Sequence, residues 1–362
     1  LFAFVLLPFL GLTYTPVLIG SLNLLVASLV LWHFSNHLIR PRILNIQFAV
    51  LLIVSVLAFS VAKPIVLYGE QHKYKDKIIY QEQTRYQKIV ITQWKDNFWL
   101  FINGSTQFST YDEERYHEPL VHPVMSLLKE HKDILLLGAG DGLAAREILK
   151  YSDVESLTLV DLDPAMTRLA RQHKMFLTIN QESLNDPRVH VLNKDAYQFM
   201  KESPDLYDAI IVDLPDPKSV SLSLLYSLGF YKMVEKHLKP FGAMVTQGTS
   251  PLYSPEAFLC IKKTMQAANF STLPYQNSIP SMGQWGWILG IRKNIMPSKR
   301  LKQKVIAEKL SDIETRFFNQ NAMISMANFG KGLFEKEEKI EPNTQFNHNI
   351  LKYYRQGSWD LY

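Results

Sequence analysis

The chain has 362 residues, a formal net charge of +5 and a hydrophobic fraction of 47%. This length predicts two or three structural units. The single cysteine, Cys260, excludes an internal disulfide and a zinc site built from several cysteines. Because it lies in an apolar helical pattern, we expect a buried thiol. The net charge is modest, and the sequence lacks the interleaved aromatic and basic residues that are typical of nucleic-acid-binding proteins. We therefore expect no nucleic-acid partner.

The first part of the chain is far more apolar than the rest. Residues 1–32 and 43–62 contain no Asp, Glu, Lys or Arg, and runs of this length can cross a bilayer as helices. We interpret the region as three membrane spans and one loop: residues 1–11, 15–33 and 43–62, with the loop at 36–42. A pair of buried core helices is the alternative, but uncharged runs this long are rare in soluble cores.

Charged residues flank the apolar runs on both sides. Arg40 and Arg42 lie on one side, and the other side carries four lysines: Lys63, Lys73, Lys75 and Lys77. The side with more positive charge is expected to face the cytoplasm. The pattern therefore predicts a multi-pass protein of the inner (cell) membrane, in contact with membrane lipid, with its soluble part in the cytoplasm. The sequence leaves a homodimer open.

From Tyr80 onward the pattern is that of a soluble α/β protein. Residues 89–91, 98–102 and 106–108 form a small β unit, with Asn103-Gly104 as a hairpin turn. Four strand–helix repeats and one further strand follow. The strands are 134–137, 157–160, 189–192, 209–212 and 243–246, and the helices are 142–151, 164–174, 197–201 and 223–238. This alternation predicts a doubly wound, Rossmann-like parallel sheet covered by helices on both faces.

These patterns divide the chain into four parts. We assign residues 1–68 to membrane helices and residues 78–125 to the small β domain. Residues 126–292 form the sheet domain, and residues 293–362 a helical tail that includes a helix at 298–320. The ligand site is expected in the sheet domain, because doubly wound sheets bind ligands outside the carboxyl ends of their strands.

Acidic residues stand at that edge after each of the first four strands. Asp141 follows the first strand within the glycine loop Gly138-Ala139-Gly140-Asp141-Gly142. The others are Asp161 after the second strand, Asp195 after the third, and Asp213 with Asp216 after the fourth. A single Asp at such a place is commonly a helix cap or turn residue, and we expect this of Asp163. Several in register favour a ligand site.

The charge of this edge restricts the ligand. A glycine loop followed by an acid at Asp161 suits a ribose, and it fits NAD and S-adenosyl ligands alike. Phosphate groups prefer backbone amides and cations, so the carboxylates would repel a pyrophosphate. A sulfonium ion and alkylammonium groups would be attracted. The sequence therefore predicts a site for a cationic nucleoside, with a cationic partner.

Four motifs, in order, resemble those of the spermidine synthases. They are Gln83-Thr-Arg-Tyr-Gln87, Asp112-Glu-Glu-Arg-Tyr-His-Glu118, the glycine loop after residues 134–137, and Asp213-Leu-Pro-Asp-Pro217. The resemblance covers residues 80–292. The apolar N-terminus is similar to that of the bacterial polyamine aminopropyltransferases with a multi-span membrane domain. The resemblance implies a Rossmann-like sheet of the S-adenosylmethionine-methyltransferase type.

The resemblance also implies a reaction and a role for each matched residue. An aminopropyl group would pass from decarboxylated S-adenosylmethionine to a polyamine such as putrescine, giving spermidine and methylthioadenosine, with no further cofactor and no metal. Asp213 would be the general base, hydrogen-bonded together with Tyr116 to the reacting amine. His117 and Asp216 would bind the acceptor. The implied donor-binding residues are Gln83, Gln107, Gly138, Gly140, Asp141, Asp161 and Asp195.

Two positions depart from the family pattern. Asp161 stands where the family more often has Glu, and Met282 stands where a tyrosine is expected to reach the substrate amine. The second departure leaves the acceptor open. Two other functions also stay open, an S-adenosylmethionine-dependent methyltransferase and a membrane protein that binds polyamines or nucleosides without catalysis. A methyltransferase would have to place its donor's carboxylate near Asp141, which is electrostatically unfavourable.

Overall fold

The computed structural model describes residues 7–34, 41–308 and 313–361. The chain separates into two compact units. The first contains residues 1–81 and 91–96, and the second contains residues 82–90 and 97–362. The strands β1 (Lys77–Gln83) and β2 (Lys88–Trp94) contribute residues to both units.

Two long helices dominate the first unit. They are α1 (Leu7–His33) and α2 (Pro41–Gln71). Within the described residues, their segments Tyr14–His33 and Arg42–Ala62 are long and apolar enough to cross a membrane. Their apolar side chains are largely exposed; Leu22, for example, is 61% exposed. The apolar N-terminal helices that the sequence predicts are therefore present.

The predicted boundaries of these helices need correction. A break between residues 11 and 15 is wrong, because α1 continues from Leu7 through this segment with Pro16 inside it. The residues between the two proposed spans include no proline or charged residue that would stop a helix. Residues 1–6 and 36–40 of the predicted first span and loop lie outside the described residues, and residues 41–42 belong to α2.

The second unit begins with a β-hairpin and a helix. Strands β3 (Asn97–Ile102) and β4 (Ser105–Ser109) pair antiparallel. Asn103 and Gly104 connect them with φ of 51° and 81°, which confirms the predicted turn. Helix α3 (Glu114–Met125) follows, and it carries the Tyr-His-Glu part of the acidic motif.

A seven-stranded sheet forms the centre of the second unit. Its order is β10-β11-β9-β8-β5-β6-β7. The strands are β5 (Asp133–Gly138), β6 (Ser156–Val160), β7 (Val189–Leu192), β8 (Tyr207–Asp213), β9 (Leu238–Gln247), β10 (Phe270–Ile279) and β11 (Gly283–Arg292). Strands β5 to β9 pair in parallel, as predicted. The Rossmann-like α/β prediction is confirmed, but the sheet is mixed because β11 runs antiparallel to β9 and β10.

The sequence interpretation missed the hairpin of β10 and β11. Its turn lies at residues 280–282. Pro274 lies inside the first strand, and Gly286 and Gly290 lie inside the second. Both residue types lower the local tendency toward a strand, so pairing with β9 and packing against the core must compensate.

The second unit also contains the helices that follow α3. They are α4 (Leu143–Ile148), α5 (Pro164–Gln172), α6 (Lys174–Ile179), α7 (Ala196–Glu202), α8 (Val220–Leu224), α9 (Leu228–His237), α10 (Pro255–Ala267), α11 (Ser298–Ala307), α12 (Gln320–Met326) and α13 (Asn349–Arg355). Short 3-10 turns occur at 183–185, 334–339 and 359–361. Leu135, Leu137, Ile210 and Val212 join one buried cluster with α7, α9 and α10. Helix α3 packs beside β8 to β11.

Some predicted helices are shorter or divided. The segment predicted as one helix at 223–238 is divided between two helices, α8 and α9. The division occurs because the Ser227 side chain accepts a hydrogen bond from Phe230 N and caps α9. The helix predicted at 164–174 ends at Gln172, and α6 follows. Helix α11 ends at Ala307 instead of continuing to 320, and residues 309–312 lie outside the described residues. Cys260 is buried and free, as predicted.

Candidate active site

The glycine loop and Asp213 meet at the carboxyl end of the sheet. Gly138 ends β5 and pairs in register with Asp213 at the end of β8. Gly138 has φ of +84°, and a Cβ there would lie 2.0 Å from the backbone oxygen of Asp213. Only glycine fits this approach, so Gly138 determines how closely Asp213 lies beside the loop.

Tyr116 and Asp213 form the central hydrogen bond of the site. The buried Tyr116 hydroxyl, on α3, donates to Asp213 Oδ1 at 2.5 Å. Burial raises the pKa of Asp213 to about 6, with a contribution from the charge of Asp141, although the Tyr116 hydrogen bond and the charge of His117 oppose the rise. Burial and the charge of Asp213 keep the pKa of Tyr116 well above 10, so the phenol stays a donor.

A buried ion pair is formed by the residue next to Tyr116 in the chain. His117 Nδ1 lies 3.0 Å from Glu113 Oε2, and both side chains are buried. Burial alone would lower the pKa of His117, but the hydrogen bond and charge of Glu113 raise it to about 9. The charges of Asp141 and Asp213 act in the same direction. His117 is therefore an imidazolium at neutral pH, and its positive charge faces both carboxylates.

Arg146 completes this pair. Its guanidinium donates to both carboxylate oxygens of Glu113, at 2.9 and 3.0 Å, and to Glu147 Oε1 at 2.8 Å. Burial would raise the pKa of Glu113, but the hydrogen bonds and charges of His117 and Arg146 lower it to about 2. Sequence reasoning missed Glu113 and Arg146, because this pairing depends on the packing of α3 against α4.

The other acids of the Asp112–Glu118 motif hold distant segments in place. Asp112 accepts from the backbone N–H and the hydroxyl of Ser281, at 2.7 and 2.6 Å, and so fixes the turn between β10 and β11. Glu118 accepts three backbone N–H groups at residues 316–318, at 2.7 to 2.8 Å. These two acids therefore hold the turn at 280–282 and the segment at 316–318 against this part of the chain.

Asp161 is hydrogen-bonded to the glycine loop, and Asp141 belongs to that loop. Asp161 Oδ2 accepts from Gly140 N at 3.1 Å, and a Cβ on Gly140 would lie 2.6 Å from that oxygen. Burial, with the charge of Asp141, raises the pKa of Asp161 to about 6. Asp141 accepts from Leu143 N at 2.8 Å, and burial raises its pKa as well. The structure thus brings the predicted loop residues and both acids together.

The three remaining predicted donor residues form hydrogen bonds within their own segments. Gln83 is exposed and donates to the carbonyl of Thr84 at 3.2 Å. Gln107 is half-buried and donates to the carbonyl of Ser105 at 3.2 Å. Asp195 is exposed and caps α7 by accepting from Gln198 N at 2.8 Å. Asp163 caps α5, as predicted.

Asp216 lies in a second polar cluster beside Asp213. Its Oδ2 accepts from the Tyr354 hydroxyl of α13 at 2.9 Å, and its Oδ1 lies 3.4 Å from Gln247 Nε2. Burial raises the pKa of Asp216. The Tyr226 hydroxyl donates to the carbonyls of Leu214 and Pro215, which fixes the loop before Asp216. Sequence reasoning missed Gln247, although its place at the end of β9 is a signal for this edge.

Met282 lies in the turn between β10 and β11 and is 4% exposed. Its backbone N–H donates to the carbonyl of Ile279 at 3.0 Å. Within the described residues, no cluster of three or more His, Cys, Asp or Glu side chains is placed to hold a metal ion.

The fold and this edge define a Rossmann-like α/β protein with several carboxylates at the carboxyl end of its parallel strands. Solved structures with the same fold include spermidine synthase from Thermotoga maritima, with a TM-score of 0.63 and 24% identity over 73% of this chain and 88% of that chain. A spermidine synthase structure in complex with the transition state analogue AdoDATO has a TM-score of 0.64 and 24% identity. It covers 73% of this chain and 89% of that chain.

Sequence comparison gives the family. Residues 113–303 match the spermine/spermidine synthase domain. A polyamine aminopropyltransferase of Oceanobacillus iheyensis is 38% identical over 100% of this chain and 69% of its own length. One from Streptomyces coelicolor is 39% identical over 100% of this chain and 67% of its own length. The chain belongs to the spermine/spermidine synthase family, which confirms the resemblance of its motifs.

Proposed function

We propose that this chain is a polyamine aminopropyltransferase, which uses decarboxylated S-adenosylmethionine as donor and a polyamine such as putrescine as acceptor. The observation that carries the proposal is the Tyr116–Asp213 hydrogen bond at an edge rich in carboxylates, in a member of this family. The edge offers negative charge to a sulfonium and to ammonium groups. It also offers Asp213, a carboxylate whose pKa is raised to about 6 and which is hydrogen-bonded to Tyr116.

In the proposed reaction, the neutral amine of the acceptor attacks the aminopropyl carbon bonded to sulfur. A C–N bond forms and the C–S bond breaks, and its electron pair stays on sulfur to give the neutral thioether methylthioadenosine. The proton leaves the amine nitrogen for Asp213. These bond changes need no redox cofactor.

The carboxylates would divide the binding of the two substrates. Asp161 would accept hydrogen bonds from the ribose hydroxyls, and Asp141 would receive the ammonium of the donor's aminopropyl group. Asp216 would attract the acceptor, while Asp213 receives its proton. Gln83, Gln107 and Asp195 would line the nucleoside, and His117 would supply a fixed positive charge behind the acceptor. Holding nitrogen and carbon in line would supply much of the rate.

Asp213 suits the task of general base. Its pKa of about 6 leaves it ionised at neutral pH and close to the operating pH, where proton transfer is efficient. The Tyr116 hydroxyl donates to one carboxylate oxygen and so orients the other toward the amine. The imidazolium of His117 stabilises the ionised form of Asp213, so the base is available before the acceptor binds.

Mass spectrometry of products from the purified chain tests this function. The protein is given decarboxylated or intact S-adenosylmethionine, together with a panel of diamines and polyamines. We expect methylthioadenosine and an amine extended by one aminopropyl group from the decarboxylated donor alone. A methylated product from the intact donor would establish a methyltransferase instead. Binding of both ligands without any product would establish the binding protein.

A matched pair of variants separates chemistry from folding. Asp213→Asn is compared with Asp133→Asn. Asp133 lies at the opposite end of the adjacent strand β5, and its carboxylate pairs with Lys239 Nζ at 2.6 Å. Only the first should lose turnover. Equal loss in both would mean that the substitution acts through the sheet and not through the site.

We also propose that α1 and α2 cross the inner (cell) membrane and that the second unit lies in the cytoplasm. Their uncharged runs and exposed apolar side chains would be costly in water and favourable in a bilayer. Extraction of membranes with alkaline carbonate should leave the chain in the pellet, and release into the supernatant would contradict the proposal. Light scattering of the detergent-purified chain tests the homodimer that the sequence leaves open.

The proposed division at residues 68–78 has its own test. A truncated chain that begins at residue 78 should stay soluble and bind methylthioadenosine, because every proposed site residue comes after it. A folded fragment that cannot bind would show that the membrane helices contribute to the site. Lipid contact would then be part of the catalytic unit, and residues 1–68 could not be separated from residues 78–125, 126–292 and 293–362.

A further inference from the structure

The C-terminal helix carries a tyrosine into the acceptor side of the site. Tyr354, on α13, is 6% exposed, and its hydroxyl donates to Asp216 Oδ2 at 2.9 Å. The two residues are 138 positions apart in the chain. Burial raises the pKa of Asp216, and the charge of Lys218 together with hydrogen bonds to Tyr354, Gln247 and Thr249 opposes the rise. Tyr354 therefore stabilises the charged form of an acid that burial disfavours.

The position of Tyr354 is fixed without its hydroxyl. Trp359 Nε1 donates to the Tyr354 carbonyl at 2.8 Å, and the two rings lie 4.5 Å apart between centroids. Ser358 N donates to the carbonyl of Tyr253 at 2.8 Å, which ties the end of the chain to the loop before α10. Helix α13 packs against α10. Removal of the hydroxyl alone should therefore leave the helix in place.

The same segment lies next to the turn that carries Met282. A Cβ on Gly283, the next residue, would lie 3.0 Å from the Tyr253 ring, and the Tyr253 and Trp359 rings are 6.0 Å apart. A thioether is at best a weak hydrogen-bond acceptor and cannot donate to a carboxylate. The phenol expected from the turn is thus missing, and a phenol from the C-terminal helix is present on the same side of the site.

We propose that Tyr354 is a positioning residue for the acceptor, which rests on the function proposed above. Its hydroxyl holds Asp216 Oδ2, and Oδ1, which lies 3.4 Å from Gln247 Nε2, is the oxygen that would receive an ammonium. The carboxylate held in this way binds the ammonium of the acceptor that does not react. The acceptor class is therefore an alkyl diamine or longer polyamine, bound at both ends.

The matched variants are Tyr354→Phe and Tyr353→Phe, neighbours on the same helix. The Tyr353 hydroxyl accepts a hydrogen bond from Glu341 N at 3.3 Å, away from Asp216. A hydrogen bond to a charged group is lost in Tyr354→Phe, so the KM for a diamine should rise about tenfold to a hundredfold. The KM for the donor and the kcat should stay within about twofold. Tyr353→Phe should match the wild type in all three constants.

Three further readouts separate positioning from a structural effect. Loss of the Tyr354 hydrogen bond should shift the acidic limb of kcat/KM for the diamine to higher pH, because the pKa of Asp216 rises. A monoamine acceptor of similar length should be insensitive to Tyr354→Phe, since it has no second ammonium. In an Asp216→Asn background, Tyr354→Phe should have no additional effect on the KM for the diamine. Thermal melting confirms that each variant is folded.

An unchanged diamine KM in folded Tyr354→Phe, or an equal rise for the diamine and the monoamine, would overturn the proposal. If the wild type shows no turnover with any amine, the proposed function is wrong. Calorimetric titration of a diamine then tests separately whether Tyr354 positions the bound diamine. Weaker diamine binding by Tyr354→Phe than by the wild type and Tyr353→Phe would then support Tyr354 as a positioning residue. Equal affinity in the three proteins would overturn it.

Discussion

The imidazole of His117 lies 3.0 Å from the carboxylate of Glu113, and the pair is buried behind the proposed catalytic residues. Burial of the pair alone would be unfavourable, because the mutual attraction of two buried charges offsets their desolvation free energy only when further hydrogen bonds are present. Arg146 supplies two of them to Glu113. The result is a fixed positive charge on His117, which favours ionised Asp213 and Asp141 on the opposite side.

We predict that Glu113→Gln destabilises the chain by about 3–5 kcal/mol at pH 6, because it leaves buried cations without their partner. The pKa of Glu113 is lowered to about 2, so its contribution is present above pH 4.5 and is lost as the pH falls through about 2. The pKa of His117 is raised to about 9 from 6.5, so its contribution is present below pH 6.5 and is lost as the pH rises through about 9.

Urea denaturation across this pH range checks the prediction. The cost of Glu113→Gln should be largest between pH 4.5 and 6.5 and should shrink toward pH 9.5, with a remainder from Arg146. Asp153→Asn is the control, since Asp153 pairs with His131 at 2.9 Å and its side chain is 48% exposed. It should cost less than about 1 kcal/mol. A pH-independent cost for Glu113→Gln would contradict a charged His117.

We predict that Asp213→Asn lowers kcat by about 10²–10⁴-fold, the usual effect of removing a general base. Methylthioadenosine should still bind within about threefold of the wild-type affinity, because Asp213 is proposed to serve the acceptor. In the wild type, activity should fall below about pH 6, where Asp213 becomes protonated. Steady-state kinetics from pH 5 to 9 and calorimetry measure both. Near-normal turnover in Asp213→Asn would remove this residue from the mechanism.

The same variant should be more stable than the wild type at alkaline pH. The pKa of Asp213 is about 6 in the folded chain and 3.8 in the reference state, so ionisation costs folding energy as the pH rises from 3.8 through 6. Asparagine removes that charge and can still accept from Tyr116. We expect a gain of about 1–3 kcal/mol at pH 8 and none at pH 3.5. If Asp213→Asn is instead less stable than the wild type at pH 8, burial does not disfavour the ionised form of Asp213.

Local sequence patterns predicted the parallel strands well. Val189–Leu192 has the predicted boundaries, and the acids after β5, β6 and β8 lie at one edge because parallel strands end together. This part of the site follows from the order of the strands, which the alternation of strands and helices already implies. The glycine loop was recognisable for the same reason.

The rest of the site depends on contacts between distant segments. The hydrogen bond from Tyr354 to Asp216 needs a C-terminal helix to pack against α10, and no local pattern indicates that packing. The pairing of Glu113 with Arg146 likewise depends on how α3 meets α4. The hairpin of β10 and β11 was not predicted, because Pro274 and the glycines lower the local strand propensity. Tertiary contacts outweigh local preference in all three cases.

The last prediction concerns Gly138. A Cβ at this position would lie 2.0 Å from the carbonyl oxygen of Asp213, and the backbone has φ of +84°. Gly138→Ala therefore combines left-handed strain with a clash against backbone that cannot rotate away. Gly104→Ala is the matched control, because Gly104 has φ of +81° and open space around it. We expect Gly104→Ala to lower the free energy of unfolding by about 1–2 kcal/mol, which is the cost of the left-handed conformation alone.

Gly138→Ala should cost at least about 2 kcal/mol more than Gly104→Ala, because relief of the clash must separate the ends of β5 and β8. Turnover should fall with it even where the chain remains folded, since Asp213 moves away from the glycine loop. Chemical denaturation and steady-state kinetics on both variants measure the two effects. Equal costs in the two variants, with normal turnover in Gly138→Ala, would mean that the carbonyl of Asp213 has room to move and that Gly138 does not determine its position.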